Sequence, residues 1–166
     1  RRQSEKQLAD RLRYEEGLAR CSRVLLEDKQ GAVSEALHFL TDASGLSKIC
    51  LYENVEDPAD GLCMKQVTEN DRTPIPYKNG FQRWQETLSR GDILKGLVDD
   101  FPEEEQKFLL DQSVVSILLL PIKVKDQWYG FVAFADTGEK RAWSKESIGI
   151  FRTAAEMIGA YVGLKQ

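Results

Sequence analysis

The chain has 166 residues, enough to bury one core of its own, and its 42% hydrophobic and 30% charged residues are those of an ordinary globular domain. With 23 basic against 27 acidic residues the formal net charge is −4, and no basic block lies beyond the first few positions, which argues against nucleic-acid binding. No apolar run approaches the ~20 residues of a membrane span, so no membrane insertion is expected.

The charged N-terminus predicts no secretory leader, and a start at Arg1 instead of Met predicts a piece of a longer chain. Cys21, Cys50 and Cys63 are an odd number without CxxC spacing, so neither a disulfide framework nor a structural zinc site is expected. Cys50 and Cys63 fall in apolar stretches and read as buried small hydrophobes.

Residues 1–28 predict one helix, since they contain no Pro, only Gly17, and many strong helix formers. Leu8 and Leu12 make one short apolar stripe, and Tyr14, Leu18, Cys21 and Leu25 make another at spacings of four, three and four. At 1.5 Å per residue such a helix spans roughly 40 Å, more than one small domain covers. It is expected either as a surface helix tied down at its C-terminal half or as a linker that dimerises and transmits signal.

A second amphipathic helix is predicted over 31–44, with Val33, Leu37 and Leu40 on one face and Gly45 as its stop. His38, the single histidine, falls beside that face with no partner set nearby and reads as a surface residue. Strands are predicted over 46–53 and 62–69 around the turn-rich stretch 54–61, and 70–80 reads as loop. Phe81, Trp84 and Leu88 mark a short helix over 81–89, and 93–98 a short strand. Pro102 before Glu103, Glu104 and Glu105 marks a helix start whose acids suit the positive end of the dipole. Three consecutive carboxylates on a helix point in different directions, so a capping role is expected of them and not a metal site.

The clearest element is a hairpin over 116–135 with Lys125-Asp126-Gln127 as its turn. Ser116 to Val124 is nearly all apolar, which predicts a strand buried on both faces and a sheet between two layers. Ser144 is expected to cap a last helix over 144–164. In it Ile148, Phe151, Ala155, Ile158 and Val162 recur at three, four, three and four, as a heptad seam or a core-facing stripe would.

FPEEE at Phe101–Glu105, LLLPIKVKDQWYGFVAFAD at Leu118–Asp136 and RAWSKESIGIFRTAAEMIGAYV at Arg141–Val162, in this order of elements, resemble GAF modules of bacterial sensor kinases. The resemblance runs from about Glu16 to Gly163. RRQSEKQL at Arg1–Leu8 resembles the tail that follows a PAS domain.

The resemblance implies an α+β fold with a central antiparallel sheet of five or six strands and the terminal helices on one face. The variable segment 70–112 would fold over the other face around a small-molecule pocket, for which Phe81, Trp84, Leu97, Phe101, Leu118 and Phe131 are the candidate lining. It also implies a homodimer through the terminal helices, with Leu12, Leu18, Leu25, Phe151, Ile158 and Val162 as candidate contacts. The parent would be a cytoplasmic protein of the sensor histidine kinase or cyclic-di-GMP signalling type, with a PAS domain before this one and an output domain after it.

The specialised chemistries of the family lack their residues here. No Cys is followed by His, as bilin attachment would need. Lys78-Asn79-Gly80-Phe81 has no Asp-Glu behind it, as a cyclic-nucleotide motif would. The cysteines do not sit in the loop that a methionine sulfoxide reductase of this type uses, and His38 is expected on the face away from the pocket, where it could not ligate haem. No catalytic residue and no metal ligand is predicted, and the cofactor is unknown. Two main readings stand: a sensor that binds an unknown small molecule, and a dimerisation relay without a ligand; a methionine sulfoxide reductase of this family's type is the minor alternative. Phe81, Trp84 and Phe101 filling the pocket would favour the second.

Overall fold

The computed structural model describes residues 2–67 and 73–165. Among them run α1 (Arg2–Glu27), α2 (Ala32–Ser44), β1 (Lys48–Asp57), β2 (Gly61–Gln66), β3 (Ile75–Pro76), α3 (Gln82–Ser89), β4 (Leu94–Leu97), α4 (Glu103–Asp111), β5 (Ser116–Val124), β6 (Gln127–Asp136) and α5 (Lys145–Leu164). The six strands form one antiparallel sheet in the order β3-β2-β1-β6-β5-β4.

Among the described residues the buried side chains of α1, Cys21, Val24 and Leu25, all lie in its C-terminal half. Gly17 opens that half: a Cβ there would stand 2.5 Å from the Ala43 Cβ, so the missing side chain lets α1 lie directly on α2. Gly45 ends α2 in the left-handed conformation at φ 73°, as a helix stop requires. Ser144 caps α5 by accepting from the Ser147 amide.

The sheet separates two cores. On one side Ile49, Leu51, Leu118, Leu120, Ile122, Val132 and Phe134 pack against α1, α2 and α5. On the other, Cys50, Tyr52, Ile117, Leu119, Phe131 and Ala133 pack against α3 and α4. Strand β5 is thus buried on both faces, as its apolar run predicts. Helices α1 and α5 lie side by side and point the same way. Arg11 reaches Glu146 at the start of α5 (3.7 Å), Tyr14 packs on Phe151 (5.9 Å between ring centres), and Asp28 meets Tyr161 near its end.

The β5–β6 turn has two residues, not three. Lys125 and Asp126 both take positive φ (52° and 64°) and Gln127 already pairs with Val124, the geometry that suits the twist of a tight hairpin. Strands β1 and β2 run over 48–57 and 61–66 where 46–53 and 62–69 were expected, and residues 68 and 69 lie outside the described residues. Residues 70–72 of the predicted loop, and Arg1 of the predicted N-terminal tail, also lie outside them. Within that loop Ile75–Pro76 pairs with Cys63 and Met64 as an edge strand, a place where a residue without an amide proton is tolerated.

A bulge also alters the sheet. Ile122 pairs with Gly130 but Lys123 pairs with Trp128, leaving Tyr129 as the extra residue. Strict alternation from Phe131 would place Tyr129 with the α3–α4 side and Trp128 with the terminal helices; the bulge exchanges them.

Candidate functional site

The candidate site is the sheet face under the segment between β3 and β5. Its floor is aromatic at Tyr52 and Phe131, neighbours in the β1–β6 register that stack with ring centres 4.8 Å apart. Ala133 and Ala135 beside them are small and leave room for the layer above. Into that room α3 inserts Trp84, whose ring stands edge-on to Phe131 at 6.0 Å and to Phe81 at 4.8 Å. Phe108 of α4 closes on Phe81 (5.4 Å) and on Trp84 (6.3 Å).

A buried carboxylate joins the two helices. Glu105, only 2% exposed, accepts from Trp84 Nε1 at 2.7 Å and from Arg83 Nε and Nη2 at 2.9 and 2.5 Å. The Arg83 guanidinium also lies over the Phe101 ring at 5.2 Å. No side chain caps α4, so the expected capping role does not apply to Glu105. Its position one turn before the buried Leu109 turns it inward. That spacing was the available signal, and the acidic run obscured it.

Under this lid remains a cavity of about 20 Å³, bounded by Tyr52, Trp84, Phe108, Leu119 and Phe131, with Lys48 and Gln112 at one side. Lys48 Nζ donates to Gln112 Oε1 at 3.1 Å and ties β1 to the end of α4. The space is about that of one water molecule, and its lining offers a water almost no partners. A second tie fastens the far end of the site. The buried Tyr77 hydroxyl donates to Asn54 Oδ1 at 2.6 Å, and Asn54 Nδ2 donates to the Trp128 carbonyl at 3.3 Å. Burial pushes the Tyr77 hydroxyl pKa far above its ordinary range, so it stays a donor.

Of the expected pocket residues, Phe81, Trp84, Phe101 and Phe131 belong to this core, and they fill it. Leu97 is half-buried on the edge strand β4. Leu118 is on the other side of the sheet, packed with the terminal helices, because its neighbours Ile117 and Leu119 take the inward positions of the site. Tyr52, Tyr77, Glu105 and Phe108 belong to the site and were not anticipated.

The expected dimer contacts divide in the same way. Leu25, Phe151 and Ile158 are 7%, 2% and 0% exposed within the single chain. They are core residues: the α5 stripe of Phe151 and Ile158 faces its own sheet, and Leu25 of α1 belongs to the same core. Leu18 and Val162 are half-buried, and Leu12 is 57% exposed.

Among the described residues no group of His, Cys, Asp and Glu could hold a metal ion. His38 is an exposed α2 residue 3.4 Å from Asp42. The three cysteines are buried and not joined by disulfides. Tyr52 pairs with Gln66 and Val55 with Cys63, so Cys50 and Cys63 stand five residues apart along adjacent strands. That is roughly 16 Å at strand rise, beyond disulfide reach.

No protein-family model matches the chain. It is 30% identical over 161 residues to the methanogenesis regulatory histidine kinase FilI of Methanothrix harundinacea (strain 6Ac), a match over 90% of this chain and 18% of that protein. The chain thus spans about a fifth of the curated relative's length. Among solved structures it resembles the phycocyanobilin-bound GAF domain from a cyanobacterial phytochrome, with a TM-score of 0.71 and 12% identity over 91% of this chain and 94% of that one. It also resembles the GAF domain of a two-component sensor histidine kinase from Bacillus halodurans, with a TM-score of 0.53 and 14% identity over 71% and 82% of the two chains.

Proposed function

We propose that this chain, a domain with the GAF fold, is a non-catalytic regulatory module of a multidomain signalling protein of the sensor histidine kinase class, and that its terminal helices carry the signal. One observation carries this reading. Helices α1 and α5 run side by side in one direction, so the polypeptide enters at the Arg11–Glu146 end and leaves at the Asp28–Tyr161 end. A shift of α1 reaches α5 through the Tyr14–Phe151 contact and the Asp28 hydrogen bonds. A PAS domain before the module, an output domain after it and a cytoplasmic setting fit this in-line path.

The module dimerises through the free half of α1, where Leu8 and Leu12 are 58% and 57% exposed one turn apart. Leu12→Cys tests the relay. Oxidation should cross-link two chains through α1 and change amide exchange at residues 158–164 of α5. Cross-linking with no change there would sink the idea.

A specific observation keeps a second reading open. The 20 Å³ cavity sits under helices fastened by two ties, Glu105 to Arg83 and Trp84, and Lys48 to Gln112. A small molecule could enter only if α3 or α4 moved outward, which the aromatic packing resists. Native mass spectrometry of protein isolated from its own cells decides this: a retained small molecule supports the sensor, and its absence the relay.

A further inference from the structure

We propose that the tip of the β5–β6 hairpin is a two-register switch that moves Trp128 and Tyr129 between the α3–α4 layer and the terminal helices. From Ser116–Asp136 to Ile122–Gly130 the register of the two strands is unbroken. It is also pinned from β1, which pairs with β6 as far as Glu53–Gly130 and comes so close that a Cβ on Gly130 would stand 1.9 Å from the Tyr52 carbonyl oxygen. Beyond that pair, among the described residues, β6 pairs with β5 alone. Residues 123–129 form the tip, and their number is odd, so a two-residue turn leaves one of them unpaired. Here the turn takes Lys125 and Asp126, and Tyr129 is left over in the strand. The other arrangement gives the turn Lys125, Asp126 and Gln127, a common hairpin loop length, and needs no bulge. Lys123 then faces Tyr129 and Val124 faces Trp128. Both aromatic side chains change sides of the sheet while β5 keeps its own.

The bulged register is held from the candidate site. Asn54 donates to the Trp128 carbonyl at 3.3 Å, and the Trp128 indole donates across the bulge to the Gly130 carbonyl at 2.9 Å. Tyr77 packs its ring on Trp128 at 5.4 Å and donates to Asn54. The Tyr77 carbonyl in turn accepts from the Phe81 amide at 2.8 Å, where α3 begins. On the helical side the Tyr129 hydroxyl donates to Glu53 Oε2 at 3.1 Å. Against these ties works the turn itself, because Lys125 and Asp126 are both held left-handed, which is unfavourable for residues with a Cβ. An outward movement of α3 draws Tyr77 off Trp128 and frees the tip to take the longer turn. Val124 marks where the change arrives. A Cβ on Gly163 would stand 3.2 Å from Val124 Cγ1, so Trp128 placed opposite Val124 meets the last turn of α5. The switch thus links the candidate site to α5, and in that last step it rests on the reading of the terminal helices as the signal path.

Nuclear magnetic resonance of the chain and three variants tests this, since cross-strand Overhauser contacts report the register: Lys123 to Trp128 when bulged, Lys123 to Tyr129 when not. Wild type should show the bulged contacts, with millisecond exchange at residues 123–130. Tyr77→Phe removes the hydrogen bond to Asn54 and should raise the minor register about fivefold. Gln127→Gly suits the left-handed third position of the longer turn and should make the unbulged register dominant. Lys125→Asn with Asp126→Gly suits the two-residue turn and should abolish the exchange. The three turn positions are exposed, so these two variants keep the core, and they decide alone should Tyr77→Phe lose its fold. Bulged contacts without exchange in wild type and in Gln127→Gly alike overturn the switch. In Gln127→Gly the amides of residues 159–164 should shift with the register; a changed register with those amides unmoved overturns the coupling to α5. The Leu12→Cys cross-link enters through α1 and bypasses the hairpin, so a failure of the relay and a failure of the switch are read separately.

Discussion

The Tyr161 hydroxyl donates to Asp28 Oδ1 at 2.6 Å, joining the residue that follows α1 to the last turns of α5. Lys165 Nζ donates to the other oxygen at 2.5 Å. Asp28 itself turns the chain toward α2 in the left-handed conformation, at φ 53°.

These bonds make the exit of α5 sensitive to pH. The Lys165 hydrogen bond, then that of Tyr161, holds the Asp28 carboxyl below its ordinary 3.8. A depressed carboxyl supports the fold above its unfolded value, and that support is lost as pH falls from 3.8 through the lower folded value. Tyr161 and Lys165 are raised above 10.0 and 10.5, each chiefly by its hydrogen bond to Asp28, so their share is complete below those values and lost above them. Asp28→Ala is expected to leave the melting temperature almost unchanged, since the Asp28 and Lys165 side chains are exposed and the ion pair is screened by solvent. It should speed amide exchange at residues 161–165; equal exchange in wild type and variant at neutral pH would show that the tie does not hold the helix.

Glu105 is the polar centre of the α3–α4 layer. Glu105→Ala strips Trp84 Nε1 of its acceptor and leaves Arg83 unpaired. Arg83 is 41% exposed and can turn to water, so the loss should be about 2–4 kcal/mol and not the upper end for a fully buried pair. Urea unfolding measures it, and a loss under about 0.5 kcal/mol would mean that aromatic packing alone holds the layer.

Phe131→Ala should cost roughly 3–5 kcal/mol, because the ring is 1% exposed and touches both Tyr52 and Trp84. Trp128→Ala should cost less, since Trp128 is only half-buried on the same strand. A loss below about 1 kcal/mol for Phe131 would contradict its place beneath the lid.

Two charge insertions separate the dimer from the core. Leu12→Glu, at an exposed position of α1, should weaken self-association and leave the monomer folded. Ile158→Glu buries a carboxylate at a fully buried site and should unfold the chain. Sedimentation velocity with circular dichroism tells these apart. Wild type remaining monomeric at high micromolar concentration would rule out the proposed dimer.

The thiols should be inert while the chain is folded. Burial pushes Cys21 up to about 11, and Cys63 is raised too, by burial and then by the charge of Asp57. Iodoacetamide near pH 8 should label Cys21 at least a hundredfold more slowly in the folded than in the unfolded chain. Comparable rates would place α1 in frequent detachment from the core.

Local chemistry was legible without coordinates. Gly45 stops α2, Ser144 caps α5, and the apolar run of β5 marks a strand with cores on both sides, because each depends on neighbours a few residues away. Together with the quoted resemblance, these elements determined the sheet and its helical layer. What the tertiary structure decided is the partner of each face. The stripe through Phe151 and Ile158 has the same spacing whether it meets its own sheet or a second chain, and only the contacts assign it to the core. The bulge at Tyr129 exchanges the faces of Trp128 and Tyr129 without any mark in the sequence. Leu118 and Leu119 are both leucines in one apolar run, yet the pleat sends them to opposite cores. Glu105 stands in a row of three like residues, and it alone is buried, because α3 brings Arg83 and Trp84 across to meet it.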